Sequence, residues 1–274
     1  MTIVWIDGEL VDGAEARVSP FDHGLLTGDG VFETLRVVRG RPFASRRHMA
    51  RLAHSAAGLR LPCPPAETVL AAMEAVIRAN GLDEGRLRIT VTGGPSPLGS
   101  DRGVVGPTVI VTGGALPAWP PATDVAVVPW PRNDRGALAG LKTISYGENV
   151  VALAYARERG AGEAIFGNLA GDLCEGTGTN VFVGVGGRLV TPPLSAGCLA
   201  GVTRELLTEL VAVVQNDLRL AALASADEAF LTSSTRDVQP IRAVDGHLLP
   251  ACPGPLTQAA AAAFAALVAR DLDP

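Results

Sequence analysis

Lysine is nearly absent from this 274-residue chain: of 23 residues that are lysine or arginine, only Lys142 is lysine. Aromatic residues are scarce, at 4%. The four cysteines (Cys63, Cys174, Cys198, Cys252) show no CxxC spacing and no disulfide-scaffold density, which suits a reducing cytoplasm. The four histidines (His23, His48, His54, His247) form no HExxH or other ligand pattern, so no metal is expected. No apolar run reaches the length of a membrane span, and the alanine-rich stretch 259–269 is too short to insert. The opening "MTIVWIDGEL" has neither a basic region nor a cleavage site, so no signal peptide is read. A net charge of -5 and a pI near 5.4, without a basic stripe, argue against nucleic acid as a partner. There is no GxSxG elbow and no Walker lysine, and "TGDGVFE" (27–33) lacks the third glycine of a dinucleotide loop.

What remains is a glycine-rich, proline-rich chain with 47% hydrophobic residues, enough for a sizeable core. A composition of this kind drifts from lysine to arginine wherever a surface cation is all that is needed. A lone survivor in such a chain can be chance, or it can be an amine whose chemistry arginine cannot supply. Lysine can lose its proton and attack a carbonyl, whereas arginine stays charged.

The pattern predicts two short strands around the Asp7-Gly8 turn in 3–11 and another over 29–38. A helix over 45–59 has Ser45 as its expected cap, and one over 65–81 shows a Val69, Leu70, Met73, Val76, Ile77 face. Two alternating strands lie within 86–94 and 107–114. The Gly/Pro-rich "GGALPAWPPA" (113–122) reads as a linker. The expected organisation is therefore an N-terminal α/β domain over 1–114, a linker over 115–122 and a C-terminal α/β domain over 123–274 that carries Lys142. Within the latter, a strand opens at 123–130. Helices are expected over 147–160, 201–214 and 255–271, with strands across 163–193 and 227–235.

If Lys142 forms a Schiff base, a pyridoxal phosphate cofactor would need a carboxylate at its ring nitrogen, donors for its phosphate and a partner for its phenolic oxygen. "CEGTGTN" (174–180) offers Glu175. "CLAGVTREL" (198–206) puts Gly201, Val202 and Thr203 at a helix start, where free N–H groups favour an anion. "TSST" (232–235) supplies hydroxyls, and Tyr146 stands four residues after Lys142. Each has a plain alternative: a solvated hairpin carboxylate, an ordinary capped helix, a polar surface turn.

Taken in order, "DHGLLTGDGVFETLRV", "RRHMARLAHSA", "LKTISY", "GAGEAIFGNLAGDLCEGTGTNVF", "LVTPPL", "CLAGVTREL" and "ADEAFLTSSTRDVQPI" resemble the class IV aminotransferase family, the fold type IV pyridoxal phosphate enzymes. The resemblance covers nearly the whole chain. It implies a two-domain α/β (α+β) fold like that of D-amino acid aminotransferase, with the cofactor in the cleft between domains. It also implies a homodimer, with the loop "GGPSPLGSDRG" (93–103) reaching toward the neighbouring site. By the same resemblance Lys142 would hold the cofactor and shuttle the proton, and Glu175 would face the ring nitrogen. Arg51, Val202, Thr203, Ser233 and Ser234 would hold the phosphate. Asn180 would support the glutamate loop, and Tyr146 would meet the phenolate.

Within the family, Leu98 and Ser100 stand where D-amino acid transaminases of the usual type carry an Arg-x-His carboxylate trap. Thr34 falls where 4-amino-4-deoxychorismate lyase has a threonine tied to its elimination, and Arg36 is shared with that enzyme. The motif reading therefore leans to the lyase, which forms 4-aminobenzoate and pyruvate. A transaminase of D-amino acids, branched-chain amino acids or (R)-amines is the alternative, and a non-catalytic cofactor-binding or interaction protein is a remote one. Arg36 and Arg102 are the candidate partners for the carboxylate of a small amino substrate.

Overall fold

The computed structural model of the chain describes residues 2–274. They divide into two compact units. The first takes the chain through Pro117 together with Leu141–Tyr146 and Asp271–Pro274; the second takes Ala118–Gly140 and Gly147–Arg270. This differs from the expected division chiefly at the lysine. Leu141–Tyr146 lie beyond the linker in sequence yet pack with the first unit, because their backbone pairs with a strand there.

The first unit runs β1 (Ile3–Ile6), β2 (Glu9–Asp12), α1 (His23–Thr27), β3 (Gly30–Val38), β4 (Arg41–Pro42), α2 (Ser45–Gly58), α3 (Ala66–Asn80), β5 (Gly85–Thr92) and β6 (Thr108–Gly114). The strands form an antiparallel sheet in the order β2-β1-β6-β5-β3-β4. Strand alternation sends Val31, Leu35 and Val37 of β3, with Leu87, Ile89 and Val91 of β5, into a core closed by Met49, Leu52 and Ala56 of α2 and Val69, Met73 and Val76 of α3. Phe32, Thr34 and Arg36 then fall on the opposite face of β3. Helix α3 stops where Gly81 takes a left-handed φ of 60°, as its sequence signals. Ser45 does not cap α2: Ala44 holds that position at φ 52° without a side-chain cap, and its N–H donates to Leu272 O at 2.7 Å.

The second unit runs β7 (Thr123–Val127), α4 (Gly147–Glu158), β8 (Glu163–Gly167), β9 (Leu173–Gly176), β10 (Asn180–Val185), β11 (Arg188–Thr191), α5 (Val202–Leu210), β12 (Val213–Gln215), β13 (Glu228–Ser233), β14 (Asp237–Val244), β15 (His247–Leu248) and α6 (Pro255–Arg270). Its mixed sheet follows β12-β11-β10-β13-β14-β7-β8-β9, with β15 beside β14. The helix expected over 201–214 ends at Leu210, and Val213–Gln215 instead pair in parallel with β11. The β-branched run of Val211, Val213 and Val214 prefers the extended chain once no further helix face is needed. Buried Glu228 accepts from the N–H groups of Leu256 (3.0 Å) and Thr257 (2.7 Å), tying the first turn of α6 to β13. Among the described residues, no helix is long and apolar enough to cross a membrane, and no group of three or more His, Cys, Asp or Glu side chains could hold a metal ion.

Candidate active site

In the first unit, the position of Lys142 is set by its backbone. Phe32 N–H donates to Lys142 O (3.0 Å), Ile144 N–H donates to Gly30 O (2.9 Å), and Thr143 bridges antiparallel to Val31. The segment thus extends the sheet along the start of β3. From the other side, Lys142 N–H donates to the hydroxyl of buried Ser55 on α2 (3.0 Å). Gly30 must lack a side chain here, since a Cβ would meet Val91 O at 2.6 Å and the Ile144 side chain at 2.8 Å.

Pairing alternation turns the Lys142 side chain to the Phe32 face of β3, and Nζ lies 4.3 Å from the centre of the Phe32 ring. The Tyr146 ring meets the same phenyl edge-on at 5.2 Å. The Arg88 guanidinium lies over it at 3.9 Å. Thr34 shares this face and pairs across with Arg88. Arg36, further along, reaches Glu84 at 3.5 Å. Arg88 was not singled out in the sequence. The alternation "RLRIT" puts Arg86 and Arg88 on one face of β5, but only the β3–β5 register sets Arg88 opposite Thr34.

Arg51 sits on the helix side of the same sheet. Its Nε and Nη2 donate to the two oxygens of Glu33 at 2.8 and 2.7 Å, a bidentate pair, and His48 Nδ1 lies 2.7 Å from Glu33 Oε2. Glu33 is fully buried. Burial opposes its ionisation, but the charge and hydrogen bonds of Arg51, with the His48 hydrogen bond, outweigh it and lower the Glu33 pKa from 4.5 to about 2. Burial holds His48 below the ordinary histidine value. The glutamate thus fixes the plane of the Arg51 guanidinium beside a neutral imidazole.

Arg102 is committed within its own unit. Nε and Nη2 donate to the two oxygens of Asp29 at 2.6 and 2.5 Å, Nη1 donates to Arg60 O and Nη2 to Leu59 O. To grip a substrate carboxylate it would have to give these up. The same Asp29 lies 2.8 Å from His23 Nδ1, while His23 Nε2 lies 2.8 Å from Gly99 O. Both imidazole nitrogens face acceptors, and the hydrogen bonds to the Asp29 carboxylate and to Gly99 O raise the His23 pKa. A raised base stabilises the fold fully below its unfolded value of 6.5 and loses that contribution as pH rises through the folded value. The loop 93–103 should therefore loosen at alkaline pH, read as faster amide exchange around Gly99 corrected for the intrinsic rate. His23→Gln should remove that pH dependence; an unchanged dependence in the variant would place its origin elsewhere.

In the second unit, Glu175 and Asn180 converge on Leu199. Leu199 N–H donates to Glu175 Oε2 (2.9 Å), and Asn180 Nδ2 donates to Leu199 O (2.8 Å). Arg132 Nε stands 3.3 Å from Glu175 Oε1. Two residues on, Gly201 precedes α5 with no side-chain cap, and a Cβ there would collide with Asn180 Oδ1. Val202 and Thr203 are buried in the first turn. Thr232 pairs across with Asn180, and its buried hydroxyl, like that of Thr179, has no hydrogen-bond partner among the described residues. Ser233 ends β13, its hydroxyl accepting from Arg236 N–H (3.2 Å), and half-buried Ser234 follows in the turn. Cys174 and Cys198 are raised in pKa by burial, Cys198 to about 12, so neither is a ready thiolate.

An anchored lysine on an aromatic sheet face in one unit, and an uncapped helix start beside a fixed carboxylate in the other, are the parts the motifs imply. The family model for amino-transferase class IV matches residues 30–244, and the chain belongs to that family. A putative branched-chain-amino-acid aminotransferase of Methanocaldococcus jannaschii is 34% identical, with 90% of this chain and 89% of that protein covered. The aminodeoxychorismate lyase of Bacillus subtilis (strain 168) is 30% identical, covering 89% and 87%. Among solved structures, the branched-chain aminotransferase of Thermoproteus uzoniensis with norvaline superposes with a TM-score of 0.91 at 31% identity, over 97% of this chain and 94% of that one. The fold is that of the fold type IV enzymes, and the chain is a pyridoxal phosphate-dependent enzyme. The residues present fit that cofactor. The chain supplies an anchored primary amine, a carboxylate held by Leu199 N–H and Arg132 and a helix start without a side-chain cap beside orphaned buried hydroxyls.

Proposed function

We propose that this enzyme is an aminotransferase whose amino donor is a branched-chain or similar aliphatic amino acid. The observation that carries the reading is the Phe32 ring with Lys142 Nζ at 4.3 Å and Arg88 at 3.9 Å. It sets an apolar surface, an amine that can move a proton and a fork for a carboxylate within one patch. The likeness to the putative branched-chain enzyme over 90% of the chain supports it.

Lys142 would hold the cofactor and, once displaced by the substrate amine, would take the proton from the amino-bearing carbon and deliver it to the cofactor's aldehyde-derived carbon. Bound pyridoxal 5′-phosphate withdraws electrons from that carbon and so acidifies its proton. Glu175 would face the ring nitrogen, with Asn180 holding the Glu175–Leu199 junction. Arg51, oriented by Glu33, would meet the phosphate with Val202, Thr203, Ser233 and Ser234. Tyr146 would donate to the phenolic oxygen. Arg88, in preference to Arg36 or Arg102, would receive the substrate carboxylate. A homodimer belongs to the same reading. Phe21 and Leu98 are exposed at 56% and 75%, and Ser96 N–H bonded to Phe21 O links their loops into one apolar edge. A cytoplasmic setting completes it.

The lyase, which the motifs favour, becomes the second reading. Thr34 supports it by sharing the Phe32 face opposite Arg88, as does the likeness to the Bacillus subtilis lyase. The test is a parallel assay with 2-oxoglutarate and L-valine, L-leucine, D-alanine or an (R)-amine, and separately with 4-amino-4-deoxychorismate. Keto acid and glutamate formed fastest from the branched-chain L-amino acids are expected. Product from 4-amino-4-deoxychorismate alone would overturn the reading.

A further inference from the structure

We propose that Arg132 is a positioning residue that holds the Glu175 carboxylate in place and keeps the proton it shares with the cofactor on the ring nitrogen. The proposal rests on the reading that Glu175 faces that nitrogen. Its basis lies wholly within the second unit. The two oxygens of Glu175 have separate holders: Oε2 takes the Leu199 N–H at 2.9 Å, and Oε1 faces Arg132 Nε at 3.3 Å. Nε is buried and has no aligned hydrogen bond, so its link to Glu175 is chiefly one of charge.

Arg132 is itself fixed from several directions. Its N–H donates to Gly167 O at 2.7 Å, and Nη1 donates to Asn149 Oδ1 at 2.9 Å. The Asn149 amide in turn donates to Thr177 O, two residues beyond Glu175. The guanidinium lies over Phe166 at 4.0 Å, and Phe166 is the cross-strand partner of Glu175. Glu148, 3.6 Å from Nη1, is the other carboxylate paired with this guanidinium, but its side chain is 68% exposed against 13% for Glu175, so water screens it. A side chain braced by an aromatic face, an amide and a backbone carbonyl is well suited to keep one charge in one place.

The consequence follows from charge. A carboxylate and a pyridine nitrogen that share one proton exist as an ion pair or as a neutral pair. A cation close to the carboxylate, and further from the nitrogen, favours the ion pair. Without Arg132 the balance moves toward the neutral pair, and the carboxylate also loses the cation beside Oε1. Electron withdrawal by the ring weakens in proportion to the lost protonation.

The experiment compares holoenzymes of wild type, Arg132→Met, Arg132→Lys and Glu175→Gln, reconstituted with cofactor isotopically labelled at the ring nitrogen. Nitrogen chemical shift is read near neutral pH, with kcat, KM and the melting temperature alongside. In Arg132→Met the shift should move toward that of neutral pyridine and kcat should fall by between about ten- and a hundred-fold, the range seen when a group that orients a ligand is lost. Arg132→Lys should restore a large part of both. A shift that moves in Glu175→Gln but stays in place in Arg132→Met overturns the proposal alone, even if kcat falls. A shift unmoved in both overturns the assignment of Glu175 beneath it. Should Arg132→Met fail to fold, a native-like Arg132→Lys with the shift of Glu175→Gln would equally contradict the account, since the charge is retained.

Discussion

Lys142→Ala should abolish turnover, by at least about 10⁴-fold, the scale on which deletion of an essential nucleophile or proton carrier is felt. As the sole lysine, Lys142 has no neighbour of its kind to take over. Its backbone is held by Phe32 and Ser55, and Ile144 ties the same segment to Gly30, so a smaller side chain there should leave the segment in place. The purified variant should keep its melting temperature and lose the visible absorption of the lysine-linked cofactor. Lys142→Arg retains a cation over Phe32 but supplies no free amine, so it should be equally inactive. A substantial share of the wild-type rate in Lys142→Arg would show that the amine is not the reacting group.

The second large effect is on stability. Glu33→Gln should cost about 3–5 kcal/mol, because it removes the buried carboxylate charge from a bidentate pair with Arg51. In a chain of this size that is a drop in melting temperature on the order of 10 °C. The sign with pH is set by the same carboxylate. Its folded pKa is about 2, against 4.5 unfolded. Its contribution is thus full above the unfolded value and is lost as pH falls from there through about 2. His48, depressed by burial, adds loss in the same direction below its unfolded value of 6.5. Glu33→Gln should therefore flatten acid unfolding as well as lower the melting temperature at neutral pH. The double variant with Arg51→Gln should cost less than the two single changes added together. Additive costs would show that the bidentate pair contributes nothing of its own.

The elements that local pattern decides were legible in the sequence. Helix α3 carries its apolar face at the right spacing and its stop at Gly81, and the first hairpin carries its Asp7-Gly8 turn. Helix α5 is shorter than the pattern suggests because Val213 and Val214 are apolar in either period, and only the pairing of Val213–Gln215 with β11 makes that stretch a strand. Lys142 stood out by scarcity, and Glu175, Val202 and Thr203 by glycine-flanked text. Arg88, Glu33 and Arg132 did not. Each acquires its role from a partner distant in sequence: Arg88 through the register of two strands, Glu33 through a helix crossing the sheet, Arg132 across the β8–β9 pair. Arg102 was read from the chemistry of its type as a carboxylate fork, and a carboxylate of its own chain, Asp29, occupies it. An arginine announces that it can bind an anion, whereas which anion is a matter of tertiary placement.

Transamination stops after one half-reaction when no keto acid is present, whereas elimination does not. Purified holoenzyme mixed with excess L-leucine and no acceptor should release one equivalent of keto acid per active site and then halt. Turnover should resume on addition of 2-oxoglutarate. Many equivalents of pyruvate from 4-amino-4-deoxychorismate without any acceptor, together with no keto acid from L-leucine, would contradict the account and make the chain a lyase.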